Sequence, residues 1–181
     1  MIITISGRIG SGKSTVAGAL AKKLTLRHLS TGDAMRKIAE EKGITPVELG
    51  HLAEKDPSFD RMIDLKTQEL GKKEDNFVMD SRLAFHFIPN SIKIFLDVSL
   101  DVAAKRIFNQ KRAEEKENVS LIATKEKIKE REASELKRYR QMYNLDYTKH
   151  SNFDLVVDTS ELNVEQIVKK IMDFLKKKKM I

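Results

Sequence analysis

The chain contains no cysteine. Thiol nucleophiles, thiolate metal sites and a disulfide framework are therefore excluded, and a reducing compartment such as the cytoplasm is the expected setting. No apolar run approaches the roughly 18–20 residues that a bilayer crossing needs, so no membrane association is expected. Met1-Ile2-Ile3-Thr4-Ile5 begins a strand at once, which leaves no room for a signal peptide. Internal repeats and linkers are missing, and the one biased segment is the lysine run at 176–179. His28, His51 and His150 are scattered without metal-ligand spacing, and neither an acid–base triad nor a paired-carboxylate site stands out.

What is present reads as one globular domain. The 181 residues are 40% hydrophobic and 34% charged, a composition able to build its own core. The net charge is +7, with the basic excess gathered at 105–149 and in the lysine run. The first of these suits a solvated helix face, a nucleic-acid surface or a clamp on phosphate groups, and the second a solvated helix end.

Apolar periodicity alternates between strand and helix. Short β-branched or apolar runs at 2–5, 28–30, 77–80, 92–97 and 153–158 predict strands. Helical spacing is found at 13–24, at about 33–42, after Thr45-Pro46-Val47-Glu48, after Asp56-Pro57, at 99–108, at about 124–143, and in a last helix with Val164, Ile167, Val168, Ile171 and Leu175 as its inner stripe. Five short strands separated by helices predict a parallel sheet covered on both faces, with two insertions near 35–75 and 109–125.

Gly7-Arg8-Ile9-Gly10-Ser11-Gly12-Lys13-Ser14 fits the phosphate-binding pattern of Gly, four residues and Gly-Lys-Ser/Thr, between a predicted strand and a predicted helix. Its glycines let successive N–H groups turn toward a polyphosphate, and the following helix adds its positive end. Lys13 can then reach the β- and γ-phosphates and the Ser14 hydroxyl can ligate Mg²⁺. The four fixed positions match by chance about once in 10⁴ starts, so ATP or GTP binding follows. A guanine-reading Asn-Lys-x-Asp and an Asp-x-x-Gly after the third strand are both missing, which speaks against a GTPase switch. A nucleic-acid ATPase has only the basic segment in its favour. A kinase acting on a small phosphorylated acceptor needs arginines to hold two polyanions, and Arg36, Arg82, Arg106, Arg112, Arg131 and Arg138 are the candidates.

Ser30-Thr31-Gly32-Asp33-Ala34-Met35-Arg36 resembles both the adenylate kinases and the archaeal-type cytidylate kinases. The second resemblance is closer at Asp80-Ser81-Arg82-Leu83-Ala84, at Arg131-Glu132-Ala133-Ser134-Glu135-Leu136-Lys137-Arg138-Tyr139 and at Tyr143-Asn144-Leu145-Asp146, and it covers about residues 2–175. It implies a single nucleoside monophosphate kinase domain with the three-layer phosphate-loop NTPase fold, a helical monophosphate-binding insertion at about 35–75 and a short lid at about 109–125. The implied reaction is phosphorylation of CMP or dCMP by ATP with Mg²⁺. The residues implied for ATP are Gly7, Arg8, Ile9, Gly10, Ser11, Gly12, Lys13, Ser14 and Thr15, with Arg106 against the base. Arg36 and Arg82 would hold the acceptor phosphate, with Ser30 and Asp33 near the acceptor. Lys13, Arg112, Arg131 and Arg138 would serve the transfer, the three arginines from the lid. Mg²⁺ would be held by Ser14 and, through water, by Asp80. The implied protein is a cytoplasmic monomer acting on free nucleotides, with no specific nucleic-acid partner.

Three positions depart from the resemblance. Ser81 stands for a glycine, which predicts a backbone less free to approach the acceptor phosphate. Asp80 stands for a frequent glutamate and has a shorter reach to the metal's water shell. His86 stands where adenylate kinases carry an adenine-reading glutamine, which favours a pyrimidine acceptor, while Ser30-Thr31 keeps AMP as the alternative.

Overall fold

A computed structural model describes residues 1–44, 46–109 and 120–181. Five strands, β1 (Ile2–Gly7), β2 (Arg27–Ser30), β3 (Phe77–Asp80), β4 (Ile92–Asp97) and β5 (Leu155–Asp158), form one parallel sheet in the order β2-β3-β1-β4-β5. Parallel neighbours need crossover connections, and among the described residues seven helices supply them, α1 (Lys13–Leu24), α2 (Thr31–Glu41), α3 (Pro46–Lys55), α4 (Ser58–Lys73), α5 (Ala84–Phe87), α6 (Leu100–Asn109) and α7 (Leu121–Tyr143), with α8 (Val164–Lys177) following the last strand.

Both faces of the sheet are covered, and the side chains alternate to match. Ile3, Ile5, Val78, Ile94, Leu96 and Val157 pack with Val16, Ala17 and Leu20 of α1 and Ile167, Ile171 and Leu175 of α8. The opposite face gives two further clusters, Phe77 and Met79 with Ala84 and Ile88, and Phe95 with Phe85, Tyr139 and Tyr147. Ile3, Ile5, Ile94 and Leu96 are fully buried, and burial of side chains of this size stabilises by about 1.5–3 kcal/mol each. No helix among the described residues is long and apolar enough to cross a membrane.

The elements differ from the sequence reading at their ends. Helix α2 starts at Thr31 rather than 33, because Ser30 caps it by accepting from Asp33 N–H at 3.3 Å. Helix α7 starts at Leu121 rather than 124, capped by Ser120 Oγ accepting from Ala123 N–H at 3.1 Å, so 121–125 is helix although the pattern assigns it to the second insertion. The last strand starts at Leu155 rather than 153, since Phe153 instead packs its ring on Phe85 and Phe95. The single-turn α5 and a 3₁₀ turn at His150–Asn152 are too short for periodicity to reveal. Thr45, expected on sequence at a helix start, and most of the expected lid, including Arg112, lie outside the described residues.

Candidate active site

Register brings the chemistry to one edge of the sheet. Ser30 at the end of β2 and Ile5 of β1 both lie opposite Asp80, the last residue of β3. Gly7 closes β1 opposite Leu96, one residue before Asp97. Five parallel strands therefore end together, where the loops after β1 and β3 part to opposite sides. Such a crevice at the carboxyl ends of an open sheet is where α/β folds bind ligands.

The loop after β1 wraps tightly because its glycines permit it. Gly10 has φ +77°, and a Cβ there would lie 2.8 Å from Ala103 of α6. Gly7 approaches Leu96 so closely that a Cβ would lie 2.3 Å from the carbonyl oxygen. Val16 N–H makes the first bond of α1, to Gly12 C=O at 3.0 Å. The N–H groups from Gly12 to Thr15 precede the helical ladder, α1 has no side-chain cap, and no acidic residue stands in its first turn. This end of α1 is built to receive an anion.

Two loop residues are committed elsewhere. Arg8 donates its backbone N–H to Leu96 C=O, its Nε to Asp97 at 2.9 Å and its Nη1 to both oxygens of Glu132 at 2.7 and 2.8 Å. Arg8, counted with the phosphate ligands on sequence, thereby braces the loop to β4 and α7. Ile9 is buried against Val98 and Ala103 and anchors the loop through packing.

Lys13 Nζ donates to Gly7 C=O at 3.1 Å and Arg8 C=O at 3.3 Å. Desolvation lowers its pKa to about 7; Arg82 and Arg131 add repulsion, while Asp80 and Glu135 act against the shift. Ser14 Oγ donates to Asp80 Oδ2, and Ser30 Oγ donates to the same oxygen at 3.3 Å. Thr31 Oγ1 donates to Asp80 C=O. Ser14 and Asp80 thus share one small oxygen-lined corner, although no cluster of three or more metal-ligating side chains exists among the described residues. An ion that keeps most of its waters and takes its remaining ligands from phosphate fits such a donor set.

Arg82 is placed by its own backbone: Ser6 Oγ of β1 donates to its carbonyl at 2.9 Å. Its side chain is largely buried, and Nε lies 2.5 Å from Glu135 Oε2. Ser81 is not among the residues with positive φ, so its side chain fits an ordinary backbone here. Arg36 is half-exposed on α2 and pairs with Asp33 one turn earlier, so the structure brings these two together. Arg106 reaches from α6 to Gly10 C=O at 3.4 Å and to Thr159 at 2.6 and 3.1 Å, which ties the phosphate loop to the segment after β5.

Arg131 and Arg138 share a helix and roughly a face, as their spacing predicts, but their surroundings differ. Arg131 is more than half exposed, with Nε 3.2 Å from Glu135 Oε1. Arg138 is largely buried, with Nε 3.1 Å from Asp60 Oδ2 of α4. One turn along, Tyr143 donates to Asp64 Oδ2 at 2.5 Å. Burial raises the carboxyl of Asp64 to about 6, with the Tyr143 bond opposing and Asp60 reinforcing the shift. The helix assigned to a lid on sequence is therefore tied to the phosphate loop by Glu132 and to α4 by Arg138 and Tyr143.

Sequence reasoning missed Glu132, Glu135, Asp60, Asp64 and Asp97. One signal was available for Glu135: the buried residues Thr124, Ile128, Glu135 and Tyr139 keep helical spacing, and a carboxylate occupies a core position of that stripe. The others look like ordinary surface charge until the packing is known.

Residues 2–161 match the model of the cytidylate kinase-like family. The chain is 41% identical over 180 residues to a cytidylate kinase of Methanocella arvoryzae, covering 98% of this chain and 99% of that protein. It is 40% identical over 169 residues to one of Natronomonas pharaonis, covering 92% and 85% respectively. A shikimate kinase of Bacteroides thetaiotaomicron superposes with a TM-score of 0.68 at 19% identity, covering 97% of this chain and 98% of that one, which shows a shared fold. By the family match and by near-full-length identity to these relatives, the chain belongs to the cytidylate kinase-like family.

Proposed function

We propose that this protein transfers the γ-phosphoryl group of ATP to CMP or dCMP, giving the diphosphate and ADP. The observation that carries the reading is the convergence of three features on one crevice: an uncapped helix start with Lys13, an Asp80–Ser14–Ser30 corner, and the buried acceptor-side Arg82. The names of the relatives supply the acceptor.

The residues divide the work. The N–H groups at the start of α1 and Lys13 hold the β- and γ-phosphates. Ser14, with Asp80 through water, would hold Mg²⁺. Bound there, Mg²⁺ supplies neutralising charge across the phosphate oxygens. Arg82 and Arg36 hold the acceptor phosphate, with Ser30 and Asp33 beside the acceptor. Arg131 meets the charge that develops on the transferring group. Arg138, tied to Asp60, holds the acceptor insertion against α7, and Arg106 lies on the base side of the phosphate loop. No general base is required, because the acceptor phosphate is already an anionic nucleophile.

Incubation with ATP, Mg²⁺ and CMP is expected to yield ADP and CDP in equal amounts by anion-exchange chromatography, and excess EDTA is expected to stop both. ADP without CDP, or undiminished turnover in EDTA, would overturn the assignment.

A further inference from the structure

Glu135 is 6% exposed and stands in the inner stripe of α7. A carboxylate persists in such a place only where cations and donors replace the water it has lost. Three groups do so. Arg82 approaches Oε2 through Nε at 2.5 Å, Arg131 approaches Oε1 through Nε at 3.2 Å, and the buried Tyr147 donates its hydroxyl to Oε2 at 3.3 Å. The two arginines come from opposite sides of the proposed reaction, Arg82 from the acceptor side and Arg131 from the transferring group. Each meets Glu135 through Nε, and the terminal nitrogens of a guanidinium can bond a second anion.

We propose that Glu135 is a positioning residue for phosphoryl transfer: its single carboxylate gathers Arg82 and Arg131 beside Lys13 and fixes how far apart their forks stand. The inference rests on the roles proposed above for Arg82 and Arg131. Two guanidiniums and an ammonium repel one another, and without a shared anion they would separate until the substrate phosphates collected them. With Glu135 in place, the cost of assembling the cations is met once, in folding, and the forks are already set when charge develops.

Glu135→Gln keeps the shape of the side chain and removes its charge. It is expected to lower kcat by at least about fiftyfold, with both KM values within about fivefold of wild type. Binding of tripolyphosphate to the free protein is expected to tighten about fivefold or more, because the cations lose their resident counter-charge. Glu135→Asp is expected to restore the wild-type tripolyphosphate affinity and to recover kcat about fivefold or more over the Gln variant, still below wild type. If the Gln variant does not fold, the Asp variant tests the same claim by a lowered kcat at unchanged KM and tripolyphosphate affinity. A Gln variant with kcat within about threefold of wild type would overturn the proposal. So would a parallel loss of turnover and anion binding that Asp does not repair, because that is the mark of a purely structural role. Arg82→Ala and Arg131→Ala separate the levels: if both turn over normally the site reading fails, and if both are impaired while Glu135→Gln is not, only the role of Glu135 fails.

Discussion

Lys13→Met is expected to lower phosphoryl transfer by about 10³ or more while raising the melting temperature of the nucleotide-free protein. Removing one preorganised donor to developing phosphoryl charge costs about 10²–10³ in rate, and Lys13 serves both phosphates of the donor end. The gain in stability has a separate cause. In the folded chain desolvation brings the Lys13 ammonium to about 7 from 10.5, with Arg82 adding repulsion, so the charged form is held at a cost. Methionine removes that cost and loses two bonds to loop carbonyls, for a net gain of about 1–2 kcal/mol, or roughly 2–8 °C in a chain of this size. The pH dependence carries a definite sign. Between 7 and 10.5 the unfolded chain binds a proton at Lys13 that the folded chain does not, so this group makes wild-type stability rise with pH across that window. The stability advantage of Lys13→Met should therefore be largest at pH 6 and narrow by pH 9. Polyphosphate binding should draw a proton onto Lys13 at pH 8, seen calorimetrically as a heat that changes with the ionisation enthalpy of the buffer. A variant that melts below wild type at pH 6 would contradict the account of Lys13.

Arg131→Ala is expected to lower kcat by about 10³ and to change the KM for ATP and for CMP by less than about fivefold. Arg131 is more than half exposed and pairs with Glu135 through Nε, so its removal leaves the fold intact and takes away positive charge from the crevice. Arg82 acts differently. It is buried in its pair with Glu135 and meets the acceptor phosphate before and during transfer, so Arg82→Ala should mainly raise the KM for CMP. Steady-state kinetics of the two variants give the contrast. A near-normal kcat in Arg131→Ala would remove α7 from the chemistry.

The sheet and the phosphate loop were legible because their signals are local. The apolar runs that became β1, β3 and β4 are short, β-branched or aromatic, and bounded by turn residues, and Gly-x-x-x-x-Gly-Lys-Ser needs little more than its own backbone. The environments of the arginines were not legible, because pairing is tertiary. Arg131 and Arg138 are equivalent on a helical wheel, yet one meets Glu135 and the other Asp60, seventy-eight residues away in sequence. Arg8 read as a phosphate ligand from its place inside the loop, and Asp97 and Glu132 from two distant elements claim its side chain. Glu135 was hidden by composition, since α7 reads as a solvated charged helix unless its buried stripe is already known. His86, singled out for its place relative to adenylate kinases, lies on α5 with its ring 5.9 Å from that of Tyr143, at the α7 end where Asp64 also binds.

Which monophosphate the crevice accepts decides between a cytidylate kinase and its alternatives. Coupled detection of ADP release, with ATP and Mg²⁺ saturating and AMP, CMP, dCMP, UMP and GMP as acceptors, is expected to rank CMP or dCMP above AMP by at least about tenfold in kcat/KM, a difference of about 1.4 kcal/mol in transition-state stabilisation. AMP as the best acceptor would contradict the cytidylate reading while leaving a monophosphate kinase. ADP release that no monophosphate stimulates, but that DNA or RNA does, would contradict the kinase itself.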